Sequence, residues 1–123
     1  MNKKILIVED DDDIQEIVKT LLMDEGYMVE TAGNGQEALH QLRASVTLPA
    51  LIILDLMMPV MTGYQFRQEQ ELDPRLAQIP VVVTTAGGNF DSKKPLIKAQ
   101  AFLKKPLSID DLLSTIKRFV EPG

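Results

Sequence analysis

The chain of 123 residues contains no cysteine and a single histidine, His40. The first absence excludes a disulfide framework, a thiolate metal site and a cysteine nucleophile, and the second excludes a histidine-rich metal site. The surrounding pattern places His40 on the exposed side of a predicted helix, an ordinary position for a solvated histidine. The length fits one domain that covers residues 1–123.

Long hydrophobic runs are also absent. The N-terminal stretch MNKKILIVEDDDD reaches acidic residues after four apolar ones, so it is not a typical signal peptide. No run approaches the roughly 20 apolar residues that a membrane helix requires. The sequence therefore predicts a cytoplasmic protein without membrane insertion.

Basic residues are fewer than acidic ones, with 13 Lys and Arg against 18 Asp and Glu, so the net charge is −5. This balance predicts no direct binding to nucleic acid. The charge is uneven along the chain: residues 1–50 hold 10 acids and 4 bases, whereas residues 91–123 hold 4 acids and 7 bases. We expect this asymmetry to affect which partners bind.

Short apolar runs alternate with amphipathic patterns along the chain. The runs predict strands at Lys4–Val8, Met28–Ala32, Leu51–Leu54, Pro80–Thr84 and Ala101–Leu103. The intervening patterns predict a helix that stops at Gly26, helices over 34–45 and 62–72, a short helix that begins near Asp91 or Ser92, and a last helix capped by Ser108.

The predicted helices have apolar faces that we expect to turn inward. In the first helix these residues are Ile14, Ile17, Val18, Leu21 and Leu22, and in the last they are Ile109, Leu112, Leu113, Ile116 and Val120. Strands that are apolar on both faces and alternate with helices indicate a parallel sheet covered on both sides. The predicted fold class is therefore a doubly wound α/β sandwich.

Functional groups in such folds gather at the carboxyl ends of the strands. The polar residues that follow the predicted strands are Glu9, Asp10, Asp55, Thr85, Lys104 and Lys105. Asp55 is the one acid in the apolar run ALIILDLMMP, where a buried charge needs compensation. Neighbouring carboxylates raise one another's pKa, and a hard divalent cation such as Mg²⁺ resolves the repulsion. A lysine and a threonine beside that ion are suited to holding phosphoryl oxygens.

Four spaced motifs carry a resemblance over the whole chain. They are ILIVEDD at 5–11, DLMMPVMTG at 55–63, PVVVTTA at 80–86 and FLKKP at 102–106. With them, the chain closely resembles the receiver domains of two-component response regulators, including those of the chemotaxis type. The resemblance implies a flavodoxin-like (βα)5 fold whose five parallel strands lie in the order 2-1-3-4-5.

The resemblance also implies roles for individual residues. Asp55 is the implied phosphoacceptor, and the implied Mg²⁺ ligands are Glu9, Asp10, Asp55 and the backbone carbonyl of Met57. Lys105, which precedes a cis proline, and Thr85 contact the phosphoryl group, while Thr85 and Phe102 form the conformational switch. The protein is then a signalling phosphoacceptor and not an enzyme with an external substrate.

The resemblance implies two kinds of partner. A sensor histidine kinase or a histidine phosphotransfer protein supplies the phosphoryl group. An output protein binds the region formed by the predicted helix near Asp91, the strand Ala101–Leu103 and the last helix.

The same residues are compatible with three other functions. Gly33, Gly35 and Ala38 match a dinucleotide-binding G-x-G-x-x-A motif, with Asp55 as the ribose-binding acid. That motif stands on the second strand instead of the first, and it leaves Glu9, Asp10, Thr85 and Lys105 without a role. A phosphatase with an aspartyl nucleophile requires a second acid two residues after the nucleophile, where this chain has Met57. A degenerate receiver would bind partners without accepting phosphate.

The chain departs from the family pattern in two places. Phe102 lacks the hydroxyl group of the more common tyrosine. The segment between Thr85 and Lys105 is shorter than usual, contains Gly87, Gly88 and Pro95, and has Ala99-Gln100 where Gly-Ala is usual. We therefore expect the fourth helix to be short, shifted or mobile. The region is basic and suits an acidic partner surface, since it contains Lys93, Lys94, Lys98 and Lys104.

Overall fold

The computed structural model describes residues 2–86 and 99–121. Its strands are β1 (Lys4–Val8), β2 (Met28–Ala32), β3 (Leu51–Asp55), β4 (Val81–Thr85) and β5 (Ala101–Lys104). Its helices are α1 (Asp12–Asp24), α2 (Gly35–Ala44), α3 (Gly63–Leu72) and α4 (Ile109–Lys117). The strands form one parallel sheet in the order β2-β1-β3-β4-β5, which confirms the predicted architecture.

Side chains of the central strands alternate between two cores, one on each face of the sheet. Leu6, Ile52 and Val83 pack on one face with residues of α2 and α3. Ile5, Ile7, Leu51, Ile53 and Val82 pack on the other face with residues of α1 and α4. All of β3 is buried, because two strands flank it and helices cover both faces. The edge strand β2 instead exposes Met28 and Glu30, so the expectation of two apolar faces is wrong there.

Side-chain caps explain where the helices begin. The Asp11 carboxylate accepts hydrogen bonds from the N–H groups of Asp13 and Ile14. Asn34 and Ser108 cap α2 and α4 in the same way, and Thr62 forms a capping box with Gln65. Such caps satisfy N–H groups that the first helical turn leaves without partners, so the predicted starts of α2, α3 and α4 are confirmed within one residue.

Two residues at the margins of the predicted apolar faces are exposed to solvent. Ile17 and Ile109, both predicted to be inward, are 60% and 51% exposed. They line a groove of about 210 Å³ between α1 and the segment 105–112, so their side chains stay open to solvent. Val120 is buried as predicted, but it lies beyond the end of α4.

The predicted ends of three strands were one residue short. β3, β4 and β5 extend through Asp55, Thr85 and Lys104, because these residues still pair with neighbouring strands. The predicted helix near Asp91 and the lysines at 93, 94 and 98 lie outside the described residues. In the described part of the chain, no helix is long and apolar enough to cross a membrane.

Candidate functional site

Asp55 is the last residue of β3, opposite Thr84 of β4. Its relative exposure is 3%, and its Oδ1 accepts a hydrogen bond of 3.3 Å from the Met57 N–H. Gly63 lies directly against this strand end, since a Cβ atom at Gly63 would stand 2.7 Å from the Asp55 carbonyl oxygen. The start of α3 therefore closes over the backbone that carries Asp55.

Glu9 and Asp10 follow β1, the neighbour of β3 in the sheet. Glu9 is buried and Asp10 is exposed. One carboxylate oxygen from each of Glu9, Asp10 and Asp55 can be chosen so that all three lie within 4.8 Å of one another. Three carboxylates at this spacing offer a hard cation the oxygen ligands that it prefers, so the residues fit Mg²⁺.

Lys105 supplies the positive charge of the cluster. Its Nζ lies 2.7 Å from Glu9 Oε1 and 3.5 Å from Asp55 Oδ1. Its backbone N–H donates to the Thr85 carbonyl at 2.8 Å, which ties the segment after β5 to the end of β4. The Lys105–Pro106 peptide is cis, as predicted.

Burial and the neighbouring charges shift the pKa values of Asp55 and Lys105. Burial, followed by the charge of Glu9, raises the pKa of Asp55 from 3.8 to about 7, although Lys105 acts in the opposite direction. Burial alone would lower the pKa of Lys105. The hydrogen bond to Glu9 and the charges of Asp55 and Glu9 outweigh burial, so the pKa of Lys105 is raised. Lys105 therefore remains a cation at neutral pH.

Thr85 lies on β4, which pairs with β3, and Phe102 lies on β5, which pairs with β4. Thr85 is the buried last residue of β4. Phe102 is half-buried on β5 opposite Val83, and it packs against the core that includes residues of α2 and α3. Phe102 lies within the strand where the sequence predicted it, whereas Thr85, predicted to follow β4, is still paired as the last residue of that strand.

The loop with the dinucleotide-binding motif is filled by side chains of the chain itself. The Gly33 N–H donates to Glu37 Oε2 at 3.2 Å, and Gly35 is buried where a Cβ atom would stand 2.9 Å from Met61 Cγ. Asn34 caps α2. The glycines permit close packing here, so the motif has a structural explanation.

The sequence pattern did not single out Gln15 or Gly63. Gln15 lies close to the start of α1, and its side-chain amide donates to the carbonyls of Glu9 and Ala32. The close approach of Gly63 was not anticipated either. A glycine directly after the cap residue Thr62 was the available signal for it.

Known proteins share both sequence and fold with the chain. The family model described as "Response regulator receiver domain" matches residues 5–117. "Response regulator Rre1" of Synechocystis sp. is 36% identical over 94% of this chain and 51% of its own length. "Transcriptional regulatory protein CpxR homolog" of Haemophilus influenzae is 38% identical over 93% of this chain and 48% of its own length. The chain thus spans about half the length of these curated relatives.

Solved structures extend the similarity to the fold. Chemotaxis protein CheY4 of Vibrio cholerae has a TM-score of 0.84 and 31% identity, over 98% of this chain and 100% of that one. Response regulator TrrA of Thermotoga maritima, solved in complex with Mg²⁺-BeF, has a TM-score of 0.84 and 30% identity, over 96% and 99%. With a family model matching nearly its whole length, this chain belongs to the response regulator receiver domain family.

Proposed function

We propose that Asp55 accepts a phosphoryl group from a phosphohistidine of a sensor histidine kinase or a histidine phosphotransfer protein. The observation that carries this proposal is the placement of one buried carboxylate at the end of the central strand. Two further carboxylates and a lysine lie within reach of it. Buried acids gathered beside a cation at a strand end are typical of a reactive site.

In the proposed step, a carboxylate oxygen of Asp55 attacks the phosphorus atom. The bond between phosphorus and the imidazole nitrogen of the donor breaks, and that nitrogen keeps the electron pair and takes a proton from solvent. An acyl phosphate on Asp55 results. Lys105 is close enough to Asp55 to donate hydrogen bonds to the transferred oxygens, with Thr85 as a second donor.

Glu9, Asp10, Asp55 and the Met57 backbone carbonyl would hold Mg²⁺ in this site. Bound there, the ion supplies positive charge that offsets the charge of the three carboxylates and of the phosphoryl oxygens. The three clustered carboxylates support this assignment.

The added charge on Asp55 is the proposed signal. We assign Thr85 and Phe102 to the switch, since Thr85 ends the strand beside β3 and Phe102 lies on the next strand with its ring only half-buried. A change at Asp55 would shift the population of two arrangements of these side chains. An output protein would read the shift on β5, α4 and the neighbouring segment before β5.

The donor is proposed to be a protein in the cytoplasm. The groove beside Lys105 is apolar and exposes Ile17 and Ile109, while Asp12 and Asp110 carry negative charge at the starts of the two helices that form it. An apolar helix face flanked by basic residues complements such a groove.

Phosphoramidate tests the acceptor, because its P–N bond resembles that of phosphohistidine. Wild-type protein with Mg²⁺ should gain the mass of one phosphoryl group, and Asp55→Asn should gain none. Asp24→Asn is the matched control, since Asp24 is exposed at the far end of α1. Labelling of Asp55→Asn at the wild-type rate would disprove the acceptor assignment. Failure of the wild-type protein to be labelled would favour a degenerate receiver.

A further inference from the structure

The Gln15 side chain joins the carboxyl ends of β1 and β2. Gln15 lies close to the start of α1, where its backbone N–H donates to the Asp11 carbonyl at 2.9 Å. Its half-buried side chain turns back toward the sheet, and Nε2 donates to the Glu9 carbonyl at 3.0 Å and to the Ala32 carbonyl at 3.2 Å. One amide group thus binds two carbonyls at the edge of the sheet that carries the acidic site.

These bonds fix the backbone of Glu9 from both sides. The Glu9 N–H donates to the Ala32 carbonyl at 3.0 Å, and the Glu9 carbonyl accepts from Gln15. The Glu9 carboxylate accepts from Lys105 Nζ at 2.7 Å and from the Asp11 N–H at 3.2 Å. Every polar group of Glu9 therefore has a partner, and Gln15 is the partner of its carbonyl.

The Glu9 carbonyl belongs to the peptide plane that leads into Asp10. Rotation of this plane would turn the backbone of Asp10 and carry its carboxylate away from Glu9 and Asp55. In the present orientation of Asp10, the three ligand atoms lie within 4.8 Å of one another. Only a side chain with two N–H donors can hold both carbonyls at once, and an amide provides them.

We propose that Gln15 is a positioning residue that sets the affinity of the acidic site for Mg²⁺. The inference rests on the proposed function, because it takes Glu9, Asp10 and Asp55 to be cation ligands. Gln15 would act through the Glu9–Asp10 peptide and touch neither the ion nor the phosphoryl group. Outer residues that orient metal ligands typically change metal affinity by about 10- to 100-fold when they are replaced.

The chain offers a matched control on the neighbouring helix. Gln41 of α2 is also half-buried, and its Nε2 donates to the Thr31 carbonyl of β2 at 3.0 Å and to Glu37 Oε1 at 3.2 Å. Gln41 therefore makes the same kind of contact between a helix and β2 without touching Glu9. A purely structural role predicts similar effects for the two glutamines, whereas a positioning role predicts different ones.

The test is calorimetric titration of the unphosphorylated 123-residue chain with Mg²⁺. Gln15→Met keeps the length of the side chain and removes both donors, so its dissociation constant should rise about 10-fold. Gln41→Met should stay within about twofold of the wild type. Both variants should lower the midpoint of urea unfolding in EDTA by similar amounts, because each loses comparable hydrogen bonds.

A second variant keeps the test possible if Gln15→Met folds poorly. Gln15→Asn keeps the amide but is one methylene shorter, so it loses at least one carbonyl, and we expect about threefold weaker binding. A folded Gln15 variant with wild-type affinity, or a Gln41→Met variant that weakens binding equally, would overturn the role of Gln15. Absence of Mg²⁺ binding by the wild-type protein would instead overturn the proposed function and this inference together.

Discussion

Asp55→Asn removes a negative charge from the buried end of β3 and nearly preserves the shape of the side chain. The asparagine Oδ1 can still accept the Met57 N–H, and Lys105 keeps its shorter contact with Glu9. The substitution also relieves the repulsion between Asp55 and Glu9 that helps to raise the pKa of Asp55. We therefore expect the metal-free variant to be more stable than the wild type at neutral pH.

The magnitude follows from the pKa of Asp55. A rise from 3.8 to about 7 corresponds to at most about 4 kcal/mol, since one pKa unit is worth about 1.4 kcal/mol. The cluster opens to water through the exposed Asp10, and solvent screening reduces this figure. We expect a gain of about 1–3 kcal/mol, or roughly 3–10 °C in Tm for a domain of this size.

The raised pKa of Asp55 also fixes how the stability of the wild type changes with pH. Between pH 4 and 7 the folded protein holds the Asp55 proton more tightly than the unfolded chain, so this group lowers wild-type stability as pH rises. Above about pH 7 the whole penalty is present. The advantage of Asp55→Asn should therefore be largest at pH 8 and should disappear near pH 4.

Urea denaturation in EDTA at pH 4, 6 and 8 measures the difference in unfolding free energy between the wild type and Asp55→Asn. A second series repeats the measurement in excess Mg²⁺. Mg²⁺ should stabilise the wild type more than the variant, because a ligand stabilises the form that binds it. Asp24→Asn should change stability by less than about 0.5 kcal/mol at each pH. A metal-free Asp55→Asn variant that is no more stable than the wild type at pH 8 would refute the reasoning.

Three further substitutions probe the same part of the fold. Gly63→Ala places a Cβ atom 2.7 Å from the Asp55 carbonyl oxygen and from the Leu56 Cα atom. It should therefore destabilise the protein by about 1–3 kcal/mol in urea denaturation and slow its labelling by phosphoramidate, and unchanged stability would contradict the close approach. Val60 has φ of 68°, so Val60→Asn should raise Tm by the equivalent of about 0.5–1 kcal/mol, and a lower Tm would argue against strain. Lys105→Met leaves Glu9 and Asp55 without their shared cation. The free energy of unfolding of the metal-free variant, measured by urea denaturation at pH 8, should therefore fall by about 1–3 kcal/mol, and a value equal to that of the wild type would contradict this account.

The parts of the fold that depend on local pattern were predictable from the sequence. Apolar runs located the strands, because a strand buried on both faces leaves little room for polar residues. Helix starts followed from cap residues such as Thr62, whose side chain accepts a backbone N–H. The convergence of Glu9, Asp10 and Asp55 followed from the rule that the ends of parallel strands share one edge.

Contacts that depend on distance between elements could not be predicted. Periodicity showed that Ile17 and Ile109 belong to apolar faces, but it did not show that the two helices leave a groove between them. The sequence placed Lys105 at the site without indicating that its ammonium group lies nearer to Glu9 than to Asp55. The bonds of Gln15 end on backbone carbonyls, which carry no sequence signal.

The central position of β3 has a consequence for hydrogen exchange. β3 is paired on both sides, whereas β2 and β5 each have one neighbouring strand among the described residues. Separating β3 requires the rupture of two ladders, so its amides should exchange only by global unfolding, and those of β5 by smaller openings. We therefore expect the backbone amide of Asp55 to be among the slowest to exchange, and the amides of the strand that carries Phe102 to exchange faster. A chemical change at Asp55 would therefore alter the amide exchange rates of the neighbouring strands, while the backbone of Asp55 itself stays in place.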